Sequence, residues 1–124
     1  MRIRITAGPV SAEADLNDTP TARAVGAALP IEAAVSTWGD EIYFAVPVEM
    51  GLEPGALDLV EPGDLGYWPT GGAFCVFFGP TPASRTPDEV RPASAVNVIG
   101  RVRGDATVFK RAKDGDPVRI EKVV

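Results

Sequence analysis

Ser36, Trp38, Glu41 and Tyr43 place a hydroxyl, an indole, a carboxylate and a phenol within one short stretch, interrupted by Gly39-Asp40. Glycine at the first position of a two-residue loop permits the positive φ that a type II′ hairpin turn requires. With the turn there, Trp38 faces Glu41, Thr37 faces Ile42 and Ser36 faces Tyr43. Cross-strand partners share a sheet face, so the four polar and aromatic residues gather on one side. Val35, Thr37, Ile42, Phe44 and Val46 gather on the other, and this nearly all-apolar set belongs inside a barrel or sandwich, which leaves the first set outside. Aromatic anchors with a few polar groups are how peptide and small-ligand pockets are built. The same pairing also stabilises a sheet, so ligand contact and structural pairing are both open. Trp68, beside Pro69, is placed to reach the same cleft. Arg85 and Arg91, on the loop 79–92, carry planar forks that would clamp a ligand carboxylate, with solvated loop charge as the alternative.

Other chemistry is thinly supplied. There is no histidine, which removes His-dependent triads, His-ligated zinc or haem and the commonest general base near neutral pH. Cys75 has no such base and reads as an inert buried thiol; Ser84 and Ser94 read as loop hydroxyls. Asp40-Glu41 and Asp64 are carboxylates that diverge or sit at turns, so no metal site is expected. Neither a Walker A sequence nor GxGxxG occurs, and no cofactor is expected.

The 124 residues suit one domain, 1–124. The net charge of −5 opposes nonspecific attraction to nucleic acid or anionic membrane, and neither is expected as a partner. Charge is unevenly spread, at −10 over residues 12–64, zero over 65–84 and +3 over 85–124. The uncharged run is broken too often by glycine and proline to span a membrane. The opening Met1-Arg2-Ile3-Arg4-Ile5 alternates instead of forming the apolar core of a signal peptide, and with the single cysteine it points to a cytoplasmic protein.

The elements that must position these residues are mainly strands: Val and Ile far outnumber Leu, and 25 residues are Gly or Pro. Strands are expected over 2–6, from Val10, over 31–38 and 41–46 as one hairpin, over 65–68, 73–78, 96–103 and 118–123, with a short one at 57–60. A helix starts at Thr19 and Pro20 and presents Ala22, Val25 and Leu29 on one stripe. A second, capped by Asp105, turns Val108, Phe109 and Ala112 inward and stops at Gly115. The segments 47–63 and 79–92 are long loops.

TWGDEIYF at 37–44, GDLGYWP at 63–69, AFCVFFGPTP at 73–82 and RPASAVNVIGRV at 91–102 together resemble the short prokaryotic cyclophilin-like proteins of unassigned function. The resemblance covers nearly the whole chain, and the ending PVRIEKV is similar to that of larger cyclophilins. It implies a closed antiparallel cyclophilin-like β-barrel of about eight strands, with two short helices covering its ends. Cyclophilins bind an extended proline peptide on the outer barrel face and use an arginine to assist prolyl rotation. That position falls on Ser36 here, and no arginine lies between Arg23 and Arg85. The family's histidine falls on Val96, and its aromatic and glutamine positions around Glu41 to Phe44. The expectation is therefore a binding module that takes a proline-containing peptide or small organic ligand on the outer face without strong catalysis. A divergent peptidyl-prolyl isomerase is one alternative, and a homodimer or docking subunit using Trp38 and Trp68 is the other.

Overall fold

Alternation along the first strand sets the barrel wall: Ile3 and Ile5 are fully buried, while Arg2 and Arg4 turn outward to pair with Glu13 and Asp15 on the neighbouring strand. The computed structural model describes residues 1–124. In chain order it has β1 (Arg2–Ala7), β2 (Val10–Leu16), α1 (Pro20–Ala27), β3 (Ile31–Ala34), β4 (Ser36–Thr37), β5 (Glu41–Ala45), β6 (Asp64–Trp68), β7 (Ala73–Phe77), β8 (Asn97–Val102), a 3₁₀ helix (Ala106–Arg111) and β9 (Pro117–Lys122).

Every strand pairing is antiparallel, in the order β3-β9-β1-β2-β8-β6-β7-β5-β4. The two ends of that order, β3 and β4, are consecutive in the chain and joined only by Val35. One bent segment thus reaches both edges, and the sheet is a nearly closed barrel, of eight strands if the bent segment counts as one. Here the structure corrects the single hairpin arm expected over 31–38. Residues 31–34 pair with β9, and only 36–37 pair with β5. The turn before β9 makes the switch: Val35 N–H donates to the Asp116 carbonyl at 2.9 Å, and Gly115 N–H donates to the Val35 carbonyl at 2.8 Å. Thr37 donates to Asp114 Oδ1 through both N–H and Oγ1, at 2.7 and 2.8 Å.

The interior is filled by Ile3, Ile5, Phe44, Leu65, Tyr67, Phe74, Ile99 and Ile120, with Phe44 and Phe74 stacked at 5.2 Å. β2 runs against β8 at Gly100, where a Cβ would clash with the Asp15 carbonyl oxygen, so only glycine fits there. Both helices pack on this core. Thr19 caps α1 by accepting from Ala22 N–H, and Thr21, Ala22 and Val25 are buried beneath it. Leu29 is outside the helix, which ends at Ala27, and is half-buried. Asp105 caps the second helix through Thr107 N–H at 2.9 Å. Its 3₁₀ winding sets three residues to a turn, so Ala106 and Phe109 point inward while Val108, expected inside, is exposed.

Candidate functional site

β7 is apolar at all five positions, Ala73 to Phe77, and all five are buried. Only half of such a strand can face the barrel interior. Register with β5 puts Phe74 and Val76 inside with Phe44 and Ile42, so Cys75 and Phe77 stand outside with Tyr43 and Glu41. Trp68 on β6 and Val96 before β8 join them. The result is a second apolar cluster of Val60, Cys75, Phe77, Val90 and Val96 on the outer wall, with Tyr43, Trp68 and Val98 packed against it. Gly66 makes room in its floor, since a Cβ there would press on Phe77 and Val96 at 3.1 Å.

Two long loops form the cover. They are joined to each other by backbone bridges, Leu57 to Val96 and Val60 to Val90, where the short strand 57–60 was expected. Asn97, 3% exposed, anchors the first loop: its Oδ1 accepts from Glu53 N–H at 2.8 Å, and its Nδ2 donates to the Gly51 carbonyl at 2.9 Å and to Thr21 Oγ1 at 3.0 Å. Tyr67 donates its hydroxyl to the Val48 carbonyl at 2.6 Å. The second loop is tied by Thr81, whose hydroxyl donates to the Arg91 carbonyl, and by Ser84 Oγ, which accepts from Thr81 N–H at 2.9 Å.

Between cover and wall lies a hollow of about 210 Å³. Trp38, Tyr43 and Trp68 form its sides, Cys75, Phe77 and Val96 its floor, and Pro92 with Ala93 its loop edge. The expected pairing of Ser36 with Tyr43 and of Thr37 with Ile42 is observed, and Gly39 takes φ +60°. Glu41 is the one acidic residue of the lining. The face lies outside the barrel as expected and is covered by loop residues, and Glu41 is only 5% exposed, with Oε1 fully buried and without a hydrogen-bond partner. Burial raises its carboxyl pKa to about 7, an effect the neighbouring Cys75 thiol offsets in part as a donor. The thiol is itself pushed well up, first by burial and then by the nearby carboxylate.

Of the residues singled out in the sequence, Trp38, Glu41, Tyr43 and Trp68 converge on this hollow. Ser36 shares the face, directly opposite Tyr43, but is half-buried and outside the lining. Arg85 and Arg91 do not reach it: Arg91 is held by Glu89, Nε to Oε1 at 2.6 Å, and Arg85 is exposed with its N–H on the same oxygen at 3.2 Å. Sequence reasoning missed Phe77, Val96, Pro92 and Ala93, and the signal that could have found the first was the unbroken apolar run of β7, which demands cover on both faces. It also left Ser94 as a plain loop hydroxyl, whereas Ser94 Oγ accepts the Trp68 indole N–H at 2.6 Å. A larger hollow of about 580 Å³, beside Asp40, Lys110, Lys113 and Asp114, is a charged surface dip without such walls. No group of three or more Cys, Asp or Glu side chains converges to hold a metal, and no helix is long and apolar enough to cross a membrane.

Comparison with known proteins agrees with this architecture. No curated protein sequence matches the chain. Its backbone is similar to the solution structure of a hypothetical protein from Archaeoglobus fulgidus, with a TM-score of 0.83 and 44% identity, covering 99% of this chain and 95% of that one. A family model described as Cyclophilin-like matches residues 1–121, and the chain belongs to that family.

Proposed function

We propose that the protein is a binding module that takes a compact apolar group, from a small organic ligand or an extended peptide, in the outer-face hollow. One observation carries the reading: an apolar pocket outside the barrel holds a single buried carboxyl whose Oε1 has no partner. A folded chain keeps a buried, unsatisfied polar atom at a cost of roughly 1–3 kcal/mol, so its presence calls for a reason beyond packing. The volume sets the scale of what fits. An apolar cavity of about 150 Å³ accepts benzene, and drug-sized ligands occupy roughly 300–1,000 Å³, so about 210 Å³ suits one ring or one side chain.

Strong catalysis is not part of this reading. Prolyl rotation needs selective stabilisation of a twisted amide, which the resemblance assigns to an arginine; position 36 is serine, and the lining carries no Arg or Lys. Free, buried Cys75 supports a reducing, cytoplasmic setting.

Indole N–H signals of Trp38 and Trp68, followed while small ring compounds and Xaa-Pro peptides are titrated in, test the reading. Saturable shifts confined to these signals and their neighbours are expected; a library that moves neither indole contradicts it. In a protease-coupled assay the protein is expected to leave cis-to-trans rates unchanged, and acceleration lost on Trp38→Ala would establish the isomerase instead. Trp38 and Trp68, which the docking alternative would use, are both half-buried, whereas Leu52, Leu57 and Leu59 on the first loop are exposed. Light scattering that shows a dimer broken by Leu57→Asp would favour it.

A further inference from the structure

The chemical class of the ligand can be read from the walls, and the inference rests on the hollow being a ligand site as proposed above. Tyr43 and Trp68 meet edge to face, centroids 6.5 Å apart and planes at 80°, and so form two sides of a corner. Trp38 stands opposite Glu41 across the hairpin, joined to it by Trp38 N–H donating to the Glu41 carbonyl at 2.9 Å. The Trp68 N–H is occupied by Ser94, so this ring has no free donor to offer the hollow. Aromatic faces carry negative potential and attract cations, most strongly where water is excluded. A buried carboxylate oxygen calls for a charged donor for the same reason. No lysine or arginine of the chain lines the hollow to serve either need.

We infer that the hollow selects a compact organic ammonium bearing at least one N–H, its charge set against the Trp38, Tyr43 and Trp68 rings and its N–H donated to the Glu41 carboxylate. A neutral group of the same size would fill the space and leave the carboxylate without a charged partner. A quaternary ammonium would satisfy the rings and have no proton to give. The other residues that line the hollow leave the Glu41 charge uncompensated: Tyr43 on its own strand, Phe77 opposite it and the Cys75 thiol on β7, Trp38 across the turn, Trp68 on β6, and Pro92 and Ala93 from the loop, none of them cationic. Because the carboxyl of the free protein is raised to about 7, an ammonium that pairs with the ionised form displaces a proton at and below neutrality, and its affinity falls as the pH is lowered.

The test titrates the full chain with cyclopentylammonium, cyclopentanol and tetramethylammonium, read from the Trp38 and Trp68 indole N–H signals at about pH 8. Cyclopentylammonium is expected to bind about tenfold more tightly than either of the others. That preference should vanish in Glu41→Gln, which keeps the shape and removes the charge. It should also shrink in the unaltered protein at about pH 5, a measurement that stands even if the variant does not fold. Equal binding of cyclopentylammonium and cyclopentanol would overturn the ammonium preference and leave the pocket standing. Equal binding of the two cations would overturn the role of the N–H at the carboxylate. If none of the three moves the indoles, both this inference and the pocket fall.

Discussion

The two faces of the β5-β6-β7 wall are nearly equally apolar and do different things. Inside, Phe44, Phe74, Leu65 and Tyr67 pack among the strands of the barrel, and the one hydroxyl present, on Tyr67, donates to the Val48 carbonyl. Outside, Cys75, Phe77, Val96 and Trp68 meet loops rather than strands, a hollow is left between them, and the Glu41 carboxyl is drawn into it without a full set of partners. The inner face is what closing a barrel demands of any sequence. A carboxyl with one unpartnered oxygen beside three aromatic rings is not, and that surplus is where function is to be sought.

Substitutions on the two sides sharpen this contrast. The largest expected effect lies inside: Phe74→Ala should cost about 3–5 kcal/mol in chemical denaturation, because it leaves a cavity that strands on every side prevent from collapsing. Next comes Glu41→Gln. In the folded chain the carboxyl holds its proton up to about pH 7, whereas the unfolded chain releases it near 4.5, so the native protein binds the extra proton and loses stability as pH rises between these values. Denaturation curves for the variant and the unaltered protein should coincide at low pH, separate between about pH 4.5 and 7, and stay apart above that, with the variant ahead by about 3 kcal/mol. A constant gap at every pH would break the contrast by making Glu41 an ordinary structural residue.

Asn97→Ala, which strips Glu53 N–H, the Gly51 carbonyl and Thr21 Oγ1 of a shared partner, should cost about 2 kcal/mol and free amides 49–55 to hydrogen exchange while the barrel strands stay protected. The smallest expected effect is that of Gly71→Ala. A Cβ at 71 would stand 2.6 Å from the Trp68 ring, so the ring must shift. Stability should change by less than about 1 kcal/mol, while Trp68 fluorescence and ring binding in the hollow change clearly.

Much of this was legible in the sequence because it follows from period and turn chemistry. Alternation at Ile3 and Ile5, the Thr19-Pro20 cap and Gly39 each act locally, and the register that joins Ser36 to Tyr43 follows from the turn alone. The same arithmetic brought Trp38, Glu41 and Tyr43 together on one face. What could not be read was set by distant residues. The break at Val35 depends on Asp114, Gly115 and Asp116, some eighty positions on, and the burial of Glu41 depends on a loop whose path is fixed by Thr81 and Ser84. Arg85 and Arg91 looked available because nothing in the sequence shows that Glu89 holds the Arg91 guanidinium or that Arg85 stands exposed away from the hollow. Val108 was misplaced by assuming an α period for a helix of 3₁₀ pitch.

The central claim is that Glu41 is a buried, underpartnered acid in a binding hollow. Carbon-detected NMR titration of its side-chain carboxyl tests that claim most directly. A midpoint near pH 7 is expected in the free protein, moving down when cyclopentylammonium is added. A midpoint at the ordinary glutamate value, unmoved by the amine, would contradict the claim.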